Sequence, residues 1–321
     1  MSTMKVIEGA SFGGADVLKL KEVSSPATGT DALLIDVRAA GVNYLDLVTR
    51  AGFLHDAKTP FRLGFEVAGV VKEVGAGVTN WMPGDAVAAI LPGGGYASQV
   101  VVPASAAIPI PTGIGPSLAA ALLVQGLTAF LTLEVGKVRP GANVLVSAAG
   151  GGVGALAVQI AKLQGANVIG LASRAKHDFV RKNGADHVVD YRSPGWSSSL
   201  REVVGDRGVD LLLDSIGDLQ TEAAGLLGTG AHWIVYGSRA ESQRPLPAEA
   251  LWPMIEKNVT LRGFNLEGCA EHFPRALGQI FDWATSGRLK VETRTYPLAQ
   301  AALAHQHFEG RETVGKVLLI P

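Results

Sequence analysis

The chain has 321 residues, more than one hydrophobic core usually organises, so two domains are expected. Its 47% hydrophobic and 18% charged residues exclude a disordered chain, and a formal net charge of -1 with no basic run excludes the electrostatic footprint of a nucleic-acid or anionic-membrane binder. A single cysteine, Cys269, excludes an intrachain disulfide framework, suits a reducing compartment and is read as structural.

In chain order, residues 1–8 lack the basic and apolar regions of a secretory signal, so a cytoplasmic location is expected. From there to about residue 110 short β-like runs (4–8, 32–39, 66–74, 86–91 and 97–102) are separated by Gly13-Gly14, Gly75-Ala76-Gly77 and Pro83-Gly84-Asp85. This is a mainly-β pattern with few helices. Residues 117–133 are uncharged but contain Gln125 and Gly126 and have no basic flanks, which predicts a core helix rather than a membrane span. Beyond them, strands at 143–147, 167–172, 187–189, 209–213, 232–236 and 260–264 alternate with helical segments at 153–164 and 176–183. Near-continuous apolar strands alternating with helices predict a parallel sheet covered on both faces. A helix near 272–286 and a strand at 316–320 close the chain. The last strand resembles the first domain in texture, so the first domain is expected to be discontinuous, with the α/β domain inserted.

The run Ala148-Ala149-Gly150-Gly151-Gly152-Val153-Gly154 falls where a predicted strand gives way to a helix. Small residues there let the backbone approach a pyrophosphate, whose charge is met by free N–H groups at the helix start. The spacing Ala149-x-Gly151-x-x-Gly154 is the dinucleotide fingerprint with Ala in place of its first Gly, and strand, loop, helix and second strand arrive in the order that makes it specific. An NAD site places Asp or Glu at the end of the second strand; here Ala172-Ser173-Arg174-Ala175-Lys176 offers cations and a hydroxyl, which suit a 2′-phosphate. The expected cofactor is NADPH.

Other motifs do not hold. Gly9-Ala10-Ser11-Phe12-Gly13 fits G-x-S-x-G but joins β-like runs rather than a strand and a helix, and reads as a hairpin loop. The histidines (His55, His177, His187, His232, His272, His305 and His307) form no H-E-x-x-H, and one cysteine gives no zinc cluster. Each is expected to be packed or solvated.

Several segments together resemble the medium-chain dehydrogenase/reductase superfamily and, within it, the zinc-independent quinone oxidoreductases. They are Gly41-Val42-Asn43-Tyr44-Leu45-Asp46, the run from Gly64 to Val71, Pro83-Gly84-Asp85-Ala86-Val87, Gln125-Gly126-Leu127-Thr128-Ala129, the glycine loop, and Thr313-Val314-Gly315-Lys316-Val317. The resemblance implies an α/β protein in which a Rossmann doubly wound parallel sheet (122–265) is inserted into a mainly-β GroES-like catalytic domain (1–121, completed by 266–321). It implies no metal, because Asn43 and Phe65 stand where the zinc enzymes carry Cys and His; Glu66 remains, as support for packing near the site. It places Asn43 beside the nicotinamide, in a catalytic segment with Tyr44 and Asp46. Cofactor contacts fall to Thr128, Ala149, Gly151, Gly152, Val153 and Gly154, and to Gly237 and Phe264 through their backbones. Ser173, Arg174, Lys176, Tyr191 and Lys316 are placed around the adenosine phosphate. Val48 and Phe53-Leu54 replace the tyrosines frequent in quinone oxidoreductases, so the pocket, expected between the domains, is more apolar and Tyr44 is the available phenol. The implied activity is hydride transfer from NADPH to a quinone or α,β-unsaturated carbonyl in a homodimer. An enoyl-thioester reductase and a weakly catalytic NADPH-binding sensor or RNA-binding protein are the alternatives.

Overall fold

The computed structural model describes residues 2–54, 57–218, 222–237, 246 and 248–321, so His55 lies outside it. The chain forms two compact units, one from the chain up to Val124 with Val291–Pro321, the other from Gln125–Lys290.

The first unit opens with an antiparallel hairpin of β1 (Thr3–Gly9) and β2 (Leu18–Ser24), and the G-x-S-x-G run leads into its connection as expected. β3 (Ala32–Val42) runs three residues beyond the predicted strand and delivers the chain directly into α1 (Tyr44–Arg50), a helix that the hydrophobic pattern did not reveal. β4 (Glu66–Val74), β5 (Ala86–Ile90), β6 (Gln99–Pro103) and β7 (Ile108–Pro109) follow. The apolar run then forms α2 (Pro116–Leu122) and α3 (Val124–Val135), mostly buried and broken at Leu123, where ψ swings to -90°. That break takes the Val124 N–H out of helical register, and it donates instead to Glu66 Oε2 at 2.8 Å.

The second unit contains β8 (Asn143–Val146), α4 (Gly152–Leu163), β9 (Asn167–Leu171), α5 (His177–Lys182), β10 (His187–Val189), α6 (Trp196–Val204), β11 (Val209–Asp214), β12 (Leu227–Val235), α7 (Leu251–Glu256), β13 (Thr260–Gly263) and α8 (Phe273–Thr285). Its six strands lie in the order β10-β9-β8-β11-β12-β13, every pairing parallel. Renumbered from β8, this is the 3-2-1-4-5-6 Rossmann order, with the switch of direction between β8 and β11. The predicted strands all fall in this sheet. Leu145, Ile169, Leu212 and Trp233 fill its interior, and α6 packs on it through Trp196, Leu200 and Val204, one face at helical spacing.

The chain re-enters the first unit through β14 (Thr293–Pro297), α9 (Ala301–Glu309) and β15 (Lys316–Ile320). The larger sheet there has the order β14-β15-β3-β4-β5-β7, with β6 also on β3. β15 lies inside this sheet, antiparallel to β3, so the chain's end completes the domain that its beginning started. Leu33, Ile35, Val67, Val71, Val317 and Leu319 are buried in the shared core.

Candidate active site and cofactor loop

The end of β3 positions the first group of predicted residues. Asn43 is extended (φ -123°, ψ 161°) and caps α1, and the Asp46 carboxylate at the third helical position accepts its backbone N–H at 2.8 Å. This is the carboxylate half of a capping box, which fixes where the helix starts. The other Asp46 oxygen accepts Gly64 N–H, also at 2.8 Å, and ties α1 to the segment before β4. Asp46 has no exposed surface, and burial raises its carboxyl to about 7, against the pull of those two N–H bonds.

Asn43, Glu66 and Lys316 come together beside it. Lys316 Nζ lies 2.5 Å from Glu66 Oε1 and 2.9 Å from Asn43 Oδ1, and Asn43 Nδ2 donates to Glu66 Oε1 at 2.8 Å. An ammonium only donates and a carboxylate only accepts, so these partners decide which amide atom is oxygen. They leave the second Nδ2–H of Asn43 without a partner in this triad and aimed in a fixed direction. Glu66 and Lys316 have no exposed surface, while Asn43 keeps 7%. Gly41 makes room for the arrangement, since a Cβ there would collide with Glu66 Oε1. Tyr44, the next residue after Asn43, is 38% exposed.

In the second unit the glycine loop leaves β8 with Ala148 in the left-handed region (φ 46°), and Ala149 N–H bonds Leu171 O of β9. The first i→i-4 bond of α4 runs from Ala155 N to Gly151 O, so helix geometry leaves the N–H groups of residues 152–154 without an intrahelical acceptor. A side chain at Gly154 would strike Ala148 O, which makes Gly obligatory where the helix turns against the loop. Because the sheet is parallel, the residues after β8, β9, β10, β12 and β13 share one edge, where ligands of open α/β sheets sit. That edge gathers the loop, Ser173, Arg174, Lys176, Tyr191, Gly237 and Phe264. The Lys176 stem lies along Gly150. Thr128 is buried on α3.

The alcohol dehydrogenase GroES-like domain family matches residues 29–112, and the zinc-binding dehydrogenase family matches residues 183–319. The chain is 33% identical to a 2-haloacrylate reductase of Burkholderia sp over 96% of each chain. It is also similar to Escherichia coli quinone oxidoreductase, crystallised with NADPH (30% identity, all of both chains, TM-score 0.92). A mycobacterial protein complexed with NADPH gives 33% identity and a TM-score of 0.90 over 99% of this chain and all of that one. The chain belongs to the medium-chain dehydrogenase/reductase superfamily. Within it, the chain is an NAD(P)H-dependent oxidoreductase of the quinone oxidoreductase-like family.

Two of the site residues that the resemblance implies, Lys316 and Asp46, have their polar atoms held inside the first unit. Lys316, which the resemblance places around the adenosine phosphate, is fully buried in the first unit, with its ammonium on Glu66 and Asn43. Asp46 has no exposed surface, and its two oxygens accept the backbone N–H groups of Asn43 and Gly64. Glu66 does more than pack, since it orients the Asn43 amide. Among the described residues no group of three or more His, Cys, Asp or Glu side chains could hold a metal ion.

Asp190 was not expected at the site. Its carboxylate accepts the N–H of Arg174 at 3.1 Å and of Arg192 at 3.0 Å, which clamps the loop after β9 to the loop after β10 and brings Tyr191 to that edge. Those bonds also hold its carboxyl below the usual range.

Proposed function

We propose that this chain uses NADPH to reduce quinones or α,β-unsaturated carbonyls, with Asn43 binding the oxygen on which negative charge develops. The observation that carries this reading is the fixed amide of Asn43. Rotating it would put N–H against the Lys316 ammonium and oxygen against the Glu66 carboxylate, so the donor is oriented before any substrate arrives. Preoriented donors act on developing charge without reorganisation in the reaction. Leu45, Phe53 and Leu54 are exposed near α1, which suits an apolar acceptor.

The cofactor fits the second unit's residues. The free N–H groups at the start of α4 would hold its pyrophosphate, Ser173, Arg174, Lys176 and Tyr191 the 2′-phosphate and adenosine, and Thr128 with the backbones of Gly237 and Phe264 the rest. When bound, NADPH supplies a hydride. Asn43 then holds the acceptor's oxygen, and the balancing proton comes from water or from the accessible phenol of Tyr44. The same reading makes the chain a homodimer through the second unit, where Leu251, Trp252 and Ile255 of α7 are exposed.

An anaerobic panel of quinones, enones and enoyl thioesters, run with NADPH and with NADH, tests the reading. Turnover is expected with quinones or enones and NADPH; cofactor binding without turnover on any acceptor would sink it. Asn43→Ala is expected to lower kcat/KM by about 10²–10³-fold, the usual effect of losing one such donor. Unchanged turnover would remove Asn43 from the reaction.

Cofactor choice is tested separately. Arg174→Ala with Lys176→Ala removes the two cations that the 2′-phosphate would meet. NADPH affinity is expected to fall at least about tenfold while NADH affinity holds, since each charge-assisted bond contributes roughly 1.5–3 kcal/mol. Equal losses for both cofactors would place these residues away from the 2′ position.

A further inference from the structure

The first turn of α3 carries a buried polar group that the proposed function does not use. Gln125 is only 5% exposed, and its Oε1 is buried with no hydrogen-bond partner among the described residues. A buried carbonyl without a donor forfeits the bonds it made in water, so such a group calls for an explanation. Gln159, the other buried glutamine described in the second unit, shows the ordinary outcome. Its Nε2 donates to Lys290 O at 2.8 Å and its Oε1 accepts Lys290 N–H at 2.9 Å.

The Gln125 amide lies against the residue that opens α4. A Cβ at Gly152 would collide with its Oε1, Cδ and Nε2. No left-handed backbone requires glycine at 152, so room for this amide is what requires it there. The amide is thereby kept beside the N–H groups of residues 152–154, at the start of a helix twelve residues long. Two independent features meet at one spot: a helix start that attracts phosphate, and an acceptor that lacks a donor. A phosphate only accepts, so it cannot satisfy Oε1. A ribose hydroxyl next to a pyrophosphate can.

We propose that Gln125 is a cofactor-binding residue whose Oε1 accepts a hydroxyl of the ribose on the nicotinamide side of the pyrophosphate. This rests on the reading of the second unit as the NADPH site. The choice of ribose follows from where the residues stand. Ser173, Arg174 and Lys176, which would meet the 2′-phosphate of the adenosine ribose, lie on the loop after β9. Gln125 lies instead on α3, three residues before Thr128 and so on the same helix face. Thr128 is read as a contact of the cofactor beyond its adenosine phosphate.

The test is the affinity of the intact chain and its Gln125 variants for NADPH and for adenosine 2′,5′-bisphosphate, which lacks the nicotinamide half, measured by titration calorimetry. Thermal unfolding of the cofactor-free protein is read alongside. Gln125→Leu keeps the volume and removes the acceptor. It is expected to weaken NADPH binding about three- to tenfold, the usual effect of one hydrogen bond, and to leave the bisphosphate unchanged. The cofactor-free variant is expected to unfold at the same temperature or higher, because an unmet carbonyl has gone. Gln125→Glu keeps an acceptor at a helix start, which favours negative charge, and is expected to bind NADPH more tightly than Gln125→Leu. Unchanged NADPH affinity in Gln125→Leu overturns the proposal, as do equal losses for both ligands. A marked fall in its unfolding temperature, or failure to fold, overturns it in favour of a packing role. Weaker NADPH binding by Gln125→Glu than by Gln125→Leu overturns it in favour of a phosphate partner. Each of these is distinct from failure of the cofactor reading itself, in which the parent chain would not bind NADPH, and the proposal would fall with it.

Discussion

Lys316→Met is expected to destabilise the chain by about 3–5 kcal/mol, the usual effect of stripping one partner from a buried ion pair. It is also expected to lower kcat/KM as far as Asn43→Ala does. Lys316 and Glu66 are both without exposed surface, so removing the ammonium leaves a carboxylate that neither water nor another cation reaches at that distance. The carboxylate keeps Val124 N–H and Asn43 Nδ2–H, but the amide oxygen of Asn43 loses the donor that fixed it. Chemical denaturation gives the first effect and steady-state kinetics the second.

A structural role alone would predict the first effect and tie the second to it. The double variant Lys316→Met with Glu66→Gln separates them. It removes both charges of the pair, and replacing a buried pair by neutral groups of similar volume is often close to neutral for stability. Its unfolding free energy is expected to return most of the way to that of the parent. Turnover is expected to stay low, because a thioether at position 316 cannot donate to Asn43 Oδ1 and a neutral amide at position 66 can face Asn43 in either sense. Recovery of both together would show that Lys316 serves only the fold, and would remove the oriented-amide argument.

The parallel sheet was legible because its strands are buried on both faces and so read as continuous apolar runs. The turn of the glycine loop between β8 and α4 was legible because a fingerprint, a strand and a helix are neighbours in sequence. The triad was not. Lys316 lies 250 residues from Glu66 and 273 from Asn43, and only the pairing of β15 beside β3 brings it to them. The signal that could have found it was a lone lysine opening an otherwise apolar strand, which calls for a buried partner without naming one. The full burial of His305 between Arg50 and Tyr96 was hidden in the same way, since a histidine on an amphipathic helix does not announce burial. Asp190 was hidden because the fingerprint looks for a carboxylate at the end of β9, whereas the fold brings one from the next strand. α1 escaped because its cap, not a repeating apolar face, defines it.

Asp46 and His305 also set how stability depends on pH, and each masks the other. Asp46 goes from an ordinary value of 3.8 to about 7 on folding, through burial. Between those values the native chain holds a proton that the unfolded chain releases, so this contribution is full below the unfolded value and is lost as pH rises through about 7. His305 goes from 6.5 to about 3, through burial and Arg50. There the unfolded chain takes the proton, so its contribution is present above the unfolded value and is lost as pH falls toward about 3. Both shifts span roughly three units, equivalent to about 4 kcal/mol each, and they oppose one another across the same window. Urea midpoints measured from about pH 4 to about pH 7 are therefore expected to slope in opposite senses in the two single variants. Relative to the parent, Asp46→Asn leaves the histidine alone and is expected to weaken toward acid. His305→Gln leaves the carboxyl alone and is expected to weaken toward neutral pH. Slopes of the same sign in both variants would mean that the folded chain does not carry a protonated Asp46 together with a neutral His305.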